Sequence, residues 1–144
     1  MPKHVLVVDD DKENADLAIA AINKFGRGAL AADAVSGSQA GQDCLDRLTK
    51  EPKPDLILLD MNMPGMSGAD VIRALVKNNP CPGLKILVTT MWGPTWVQHW
   101  NLSDINYTNT FKDLIIGTCD KGMSMQEMVA RSLQVLGLRL ENAA

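Results

Sequence analysis

The chain has no surplus of positive charge. Its 14 Lys and Arg stand against 17 Asp and Glu, for a net charge of −3. This argues against general nucleic-acid affinity, which calls for a basic face. Cysteine is sparse: Cys44, Cys81 and Cys119 are odd in number, far apart and without a CxxC pair. That pattern speaks for reduced thiols in a cytoplasmic protein and against a disulfide framework or a zinc site. No apolar run approaches the roughly 20 residues that would span a bilayer. Acids arrive at Asp9 and Asp10, too soon after Met1 for a signal peptide. Asn101-Leu102-Ser103 and Asn106-Tyr107-Thr108 match the glycosylation pattern, which without a secretion signal is read as chance. Internal repeats and low-complexity tracts are missing too.

What remains is an ordinary globular composition, 46% hydrophobic and 22% charged over 144 residues, enough for one domain with a substantial core. The chain is organised around Leu56-Ile57-Leu58-Leu59-Asp60-Met61-Asn62-Met63-Pro64-Gly65-Met66-Ser67-Gly68. Four consecutive aliphatic residues predict a strand buried on both faces. The run stops at an acid, and a Pro/Gly turn leads into a helix. Open α/β sheets place their chemistry at such carboxyl ends of strands.

Taken in order, Val5 to Val8 is a second buried strand, ended by Asp9-Asp10-Asp11. Asp11 is the expected N-cap of a helix with Ala15, Ala18, Ile19, Ile22 and Phe25 inward, closed at Gly26. Residues 29–35 make a weak, alanine-rich strand near an edge. Ser38 is expected to open the next helix, with Cys44, Leu45 and Leu48 inward. Ser67 and Asp70 form a capping box before Val71, Ile72, Leu75 and Val76. Lys85 to Val88 is a strand ending in Thr89-Thr90. From Met91 to Lys112 the pattern has no clean period, although Pro94 suits a first helical turn before Trp96, Val97 and Trp100. Leu114 to Cys119 is the fifth strand. Ser124 and Glu127 form another expected capping box, before a stripe of Met125, Met128, Val129, Leu133 and Leu136. Only Glu141 to Ala144 is expected to follow the last helix, leaving no room for an output domain. Alternating β and α elements with continuous aliphatic strands predict a parallel sheet covered on both faces, and right-handed crossovers leave few topologies.

Asp9, Asp10, Asp60 and Thr89 then lie at strand ends on one side of the sheet, with Lys121 just past the fifth strand. Two carboxylates ~4 Å apart repel by roughly 4 kcal/mol at an effective dielectric near 20. Such a cluster takes up protons or binds a cation. Oxygen ligands with room for water favour Mg²⁺. A free Asp60 beside that ion and Lys121 suits attack on a phosphoryl group, with positive charge neutralising the transferring oxygens and Thr89 bonding one of them. Singly, each residue has a blander reading: an Asp after a strand caps a helix (the role given to Asp11), Thr89 is a strand residue and Lys121 a solvated charge. Their joint occurrence at successive strand ends favours the chemical reading.

The stretches Val5 to Asp10, Asp55 to Gly68, Ile86 to Thr89 and Lys121-Gly122 resemble the CheY-like receiver domain of two-component response regulators, over nearly the whole chain. The resemblance implies an α/β, doubly wound, flavodoxin-like (βα)5 fold with strand order 2-1-3-4-5. It implies one receiver domain over 1–144, with a core at about 3–140 and an enlarged β4–β5 segment at about 91–112. In it, Asp60 would accept phosphate from a histidine kinase or phosphotransfer protein. Asp9, Asp10, Asp60 and the backbone carbonyl of Asn62 would hold Mg²⁺, Thr89 would be the switch hydroxyl and Lys121 the phosphate contact. The expected role is a stand-alone, cytoplasmic, phosphorylation-controlled protein-binding switch with an unknown downstream partner. It is expected to be no enzyme beyond self-phosphorylation from donors and self-dephosphorylation, to bind no nucleic acid and to insert into no membrane.

Three features depart from the family pattern. Gly122 follows the lysine where proline is usual, so a trans Lys121–Gly122 bond is predicted, a non-prolyl cis bond costing about 2.5–4 kcal/mol. Thr118 stands where an aromatic switch residue is usual. The segment from Thr89 to Lys121 is long and holds Trp92, Trp96 and Trp100, which either anchor the segment to the core or present an aromatic anchor to a partner. A receiver-like scaffold that binds independently of phosphate is the alternative function. An aspartyl-phosphate phosphatase is disfavoured because Asn62 replaces the second acid of its Asp-x-Asp pair. A flavin protein is disfavoured because no Ser/Thr-rich loop follows the first strand.

Overall fold

The computed structural model describes residues 1–138; the expected tail from Glu141 to Ala144 lies outside the described residues. Five strands, β1 (Lys3–Val8), β2 (Leu30–Val35), β3 (Leu56–Asp60), β4 (Lys85–Thr90) and β5 (Ile115–Asp120), form one parallel sheet in the order β2-β1-β3-β4-β5. The α-helices are α1 (Lys12–Phe25), α2 (Ala40–Arg47), α3 (Gly68–Lys77), α4 (Trp96–His99), α5 (Asn109–Leu114) and α6 (Met125–Val135). The parallel sheet follows the strand pattern, and its order is the doubly wound, flavodoxin-like one that the receiver resemblance implies.

The aliphatic runs of the central strands are divided by the pleat, since successive side chains point to opposite faces. Leu6, Val8, Ile57, Leu59, Ile86 and Val88 join Cys44, Leu48, Val71, Ile72 and Leu75 in one layer of core. Val5, Val7, Leu56, Leu58 and Leu87 join Ala15, Ala18, Ile22, Val129 and Leu133 in the other. Strand β2, at the edge, is buried only at Leu30, as its alanine content requires.

Helix starts follow the sequence in two places and differ in two. Asp11 accepts the backbone N–H groups of Glu13 and Asn14, and Ser67 with Asp70 forms a complete capping box. Ser38 is not a cap: α2 begins at Ala40 behind Gln39, with no side-chain cap bond. At α6, Ser124 accepts the Glu127 N–H, but the Glu127 carboxylate bonds the Ser124 hydroxyl instead of its backbone N–H, so the box is half made.

The segment without a period folds as a 3-10 turn (Gly93–Thr95) carrying Pro94, then α4 and α5. It supplies the crossover from β4 to β5. Trp96, Leu102, Phe111 and Leu114 are buried in the α2–α3 core layer, with the Trp96 and Phe111 rings stacked at 6.1 Å. Arg73 of α3 clamps the segment from outside, donating to both Asp104 carboxylate oxygens at 3.0 and 2.8 Å and to the Asn101 carbonyl. Between Ile86 and Leu87 the β4–β5 register slips, so that Leu87 faces Gly117.

Candidate functional site

Strands β1, β3, β4 and β5 deliver polar groups to the same rim. Asp9 and Asp10 follow β1, and Asp9 folds back to accept the Asp11 N–H on its Oδ1 at 2.9 Å. Asp60 is the last residue of β3, only 3% exposed. Thr89 lies opposite Asp60 in the β3–β4 register. Its neighbour Thr90 is buried instead, with its Oγ1 accepting the Trp92 N–H at 3.1 Å. Lys121 follows β5, its backbone N–H bonded to the Thr90 carbonyl. The residues read from sequence as chemically active therefore meet.

The carboxylate oxygens of Asp9, Asp10 and Asp60 lie within 4.8 Å of one another. Lys121 Nζ is 2.9 Å from Asp60 Oδ1, and the Asn62 backbone N–H donates to that same oxygen at 3.0 Å. Both contacts fall on Oδ1, so Oδ2 carries neither. Burial, the Asp60 charge and the Asp10 charge raise the Asp9 carboxyl to about 6, from 3.8, against the lowering pull of the Asp11 N–H and Lys121. Three clustered acids with one ammonium leave net negative charge in a half-closed pocket. All three offer hard oxygen donors, which suits an octahedral divalent ion such as Mg²⁺. The donor set fits.

The loop after β3 is held tight from below. A Cβ on Gly68 would sit 2.7 Å from the Asp60 carbonyl oxygen and 2.7 Å from Met61 Cα, so only glycine lets α3 start against the acid's own backbone. Gly65 turns the loop at φ 67°, in the left-handed region that glycine occupies without a Cβ clash. On the opposite side, the Lys121–Gly122 bond is trans, as the sequence predicts; among the described residues the one cis bond is Glu51–Pro52. Asp120, a residue the sequence reading passed over, shapes this turn by accepting the Gly122 N–H at 2.8 Å. An Asp two residues before a Gly is a recognisable turn signal, visible in the sequence once the strand end is known.

A cavity of about 160 Å³ opens beside the acid, lined by Asp60, Asn62, Thr89, Lys121 and, from the long segment, Met91, Trp92, His99 and Trp100. Trp92 and His99 stack face to face at 3.7 Å and His99 meets Trp100 edge-on at 5.2 Å. His99 carried no sequence signal: it lies in an aperiodic stretch, and only folding brings it here. Trp96 is buried, Trp100 half-buried, and Trp92 is 49% exposed beside an exposed Met91. Trp100 Nε1 is the one buried side-chain nitrogen or oxygen among the described residues without a hydrogen-bond partner, a condition that typically costs about 1–3 kcal/mol.

A parallel five-stranded sheet in this order, with an acidic triad and a lysine at the carboxyl ends of its strands, is the architecture of a receiver-type domain. Residues 5–99 match the family described as response regulator receiver domain, and the chain belongs to that family. It is a signalling module rather than a classical enzyme. The chain is 31% identical over 131 residues to the response regulator GacA of Pseudomonas aeruginosa, covering 91% of this chain and 54% of that one. It is 31% identical over 137 residues to the phosphate regulon regulator PhoB of the same organism, covering 93% and 52%. The chain thus spans about half the length of these curated relatives. Among solved structures, a CheY-like receiver domain protein from Methanospirillum hungatei superposes with a TM-score of 0.69 at 22% identity, over 94% of each chain. No helix among the described residues is long and apolar enough to cross a membrane.

Proposed function

We propose that residues 1–144 act as one receiver unit that takes a phosphoryl group onto Asp60 from a histidine kinase or histidine phosphotransfer protein and thereby changes its affinity for a protein partner. The observation that carries this reading is Asp60 itself, nearly fully buried yet facing a cavity, with two carboxylates within 4.8 Å and an ammonium at 2.9 Å. Family membership implies the kinase partner.

Asp9, Asp10, Asp60 and the Asn62 backbone carbonyl would hold Mg²⁺, which when bound supplies positive charge opposite the transferring oxygens. Lys121 supplies a second positive group from the β5 side and offsets the charge that builds on those oxygens. The Asn62 N–H and Lys121 fix the Asp60 carboxylate through Oδ1, leaving Oδ2 for in-line attack on phosphorus. The P–O bond to Oδ2 forms as the P–N bond to the donor's imidazole breaks, and the leaving nitrogen keeps the electron pair. In this reading the Thr89 hydroxyl, from the strand position opposite Asp60, donates to the new phosphoryl oxygen. Free, buried Cys44, Cys81 and Cys119 support a reducing, cytoplasmic setting.

Incubating the chain with phosphoramidate and Mg²⁺ should add one phosphoryl mass to the peptide holding Asp60, with none on Asp60→Asn. An unmodified wild-type peptide, also after exposure to a competent kinase, would refute the proposal.

Thr118 in place of an aromatic residue favours a second reading, a scaffold that binds its partner whatever the state of Asp60. That reading expects partner affinity unchanged in a folded Asp60→Ala variant, and a strong loss of binding there excludes it.

A further inference from the structure

We propose that Trp92 is a specificity-determining residue for the phosphoryl donor, presenting its indole face to the imidazole ring that leaves. The inference rests on the phosphoacceptor reading above and deepens it, from the group transferred to the donor that carries it. An in-line transfer puts the leaving atom on the far side of phosphorus from the attacking oxygen. Asp60 is buried, with Met61 and Thr90, on the inner side of the cavity, so the leaving group lies toward the mouth. The lining residues that remain exposed are Asn62, Met91, Trp92, His99 and Lys121. Of these, Trp92 and His99 carry rings.

The backbone of Trp92 is fixed on both sides. Its N–H donates to the Oγ1 of buried Thr90 at 3.1 Å, and its carbonyl accepts the Thr95 hydroxyl at 2.9 Å. His99 covers one face of the indole at 3.7 Å, while the residue stays 49% exposed. A flat aromatic surface just past β4 thus borders the path by which a donor reaches Asp60. Another aromatic ring stacks on such a surface, and a ring that carries a proton is drawn further by the negative indole face. An N-phosphoryl imidazole has that ring, whereas a phosphorylated amine has none. In the step itself the bond from Asp60 Oδ2 to phosphorus forms as the P–N bond breaks. The ring nitrogen keeps the electron pair, and the ring, protonated on its other nitrogen, departs as neutral imidazole.

The test compares two donors that share the P–N bond, N-phosphoimidazole and phosphoramidate, on the full chain with Mg²⁺. Mass spectrometry of quenched samples gives a second-order labelling rate constant for each donor. The quantity read is the ratio of the two constants within one variant, in which a general loss of folded protein cancels. Trp92→Ala should lower the phosphoimidazole-to-phosphoramidate ratio on the order of fivefold, the usual worth of one aromatic pair. Trp92→Phe should retain most of the wild-type ratio, because a ring is still present. If Trp92→Ala does not fold, Trp92→Leu, apolar but without a ring, takes its place with the same expected fall. A wild-type ratio in the folded alanine or leucine variant overturns the proposal, and so does an equal fall in Trp92→Phe. A wild-type chain that gains no mass from either donor overturns the Asp60 reading as well, and its spectrum tells the two failures apart.

Discussion

Asp9 is the residue at which the electrostatics of the pocket can be read. Its carboxyl is raised to about 6 by burial first and by its acidic neighbours after that. The folded state therefore holds a proton that the unfolded chain, at 3.8, has released. Stability contributed by protonated Asp9 is present below pH 4 and is lost as pH rises through 6. A rise from 3.8 to about 6 corresponds to roughly 3 kcal/mol, which partial exposure and solvent screening reduce to about 1–2 kcal/mol. Asp9→Asn should accordingly stabilise the metal-free protein by about 1–2 kcal/mol at pH 7.5 and by little at pH 4, measured by urea unfolding in EDTA. A destabilised variant at pH 7.5 would contradict this. Divalent cations compete with the same proton, so Mg²⁺ affinity measured by calorimetry should fall steeply as pH drops through 6. A flat profile between pH 5 and 7.5 would mean that Asp9 is not a ligand.

At the level of elements, the acceptor loop depends on two features at the start of α3. Ser67 and Asp70 satisfy the first free N–H groups of the helix, and Gly68 allows its first turn to lie on the Asp60 and Met61 backbone. Ser67→Ala should cost about 1 kcal/mol, the usual worth of a cap. Gly68→Ala should cost about 1–3 kcal/mol through overpacking against backbone. It should also slow labelling of Asp60 by phosphoramidate, because the atoms displaced belong to the acceptor itself. Labelling at the wild-type rate in Gly68→Ala would show that the loop absorbs the methyl elsewhere. Away from the site, β1, β2 and α2 are joined by His4, Asp33 and Arg47. Burial disfavours the Asp33 charge, but Arg47 and His4 outweigh it and hold the carboxyl below 3.8. This contribution is present above pH 4 and is lost only as acid titrates Asp33. The Asp11 cap and the Ser67–Asp70 box were legible in the sequence because they depend on neighbours within four residues, whereas Ser38 has the right residue type but makes no cap. The His4–Asp33–Arg47 contact was not, since it joins three elements whose side chains carry no shared periodicity.

For the molecule as a whole, the long β4–β5 segment is the irregular part on an otherwise regular frame. It is anchored inside by Trp96, Leu102 and Phe111 and outside by the Arg73 clamp on Asp104 and Asn101. The clamp is exposed and screened by solvent, so its ion pair adds little to global stability. Arg73→Ala should leave global stability nearly unchanged while amide exchange speeds up at residues 100–106 and stays fixed in β3 and β4. Equal exchange throughout would mean that the buried aromatic contacts alone hold the segment. The sequence by itself determined the sheet, its two covered faces and the acids, threonine and lysine at its rim, because strand runs and their polar ends are written in local pattern. It also placed the three tryptophans in one segment without choosing between anchor and surface. The tertiary structure assigned both roles, burying Trp96, exposing Trp92 and setting Trp100 in the wall beside Asp60. That choice depends on packing between residues distant in sequence, Trp96 on Phe111 and Trp100 beside Asp60, which no periodicity encodes.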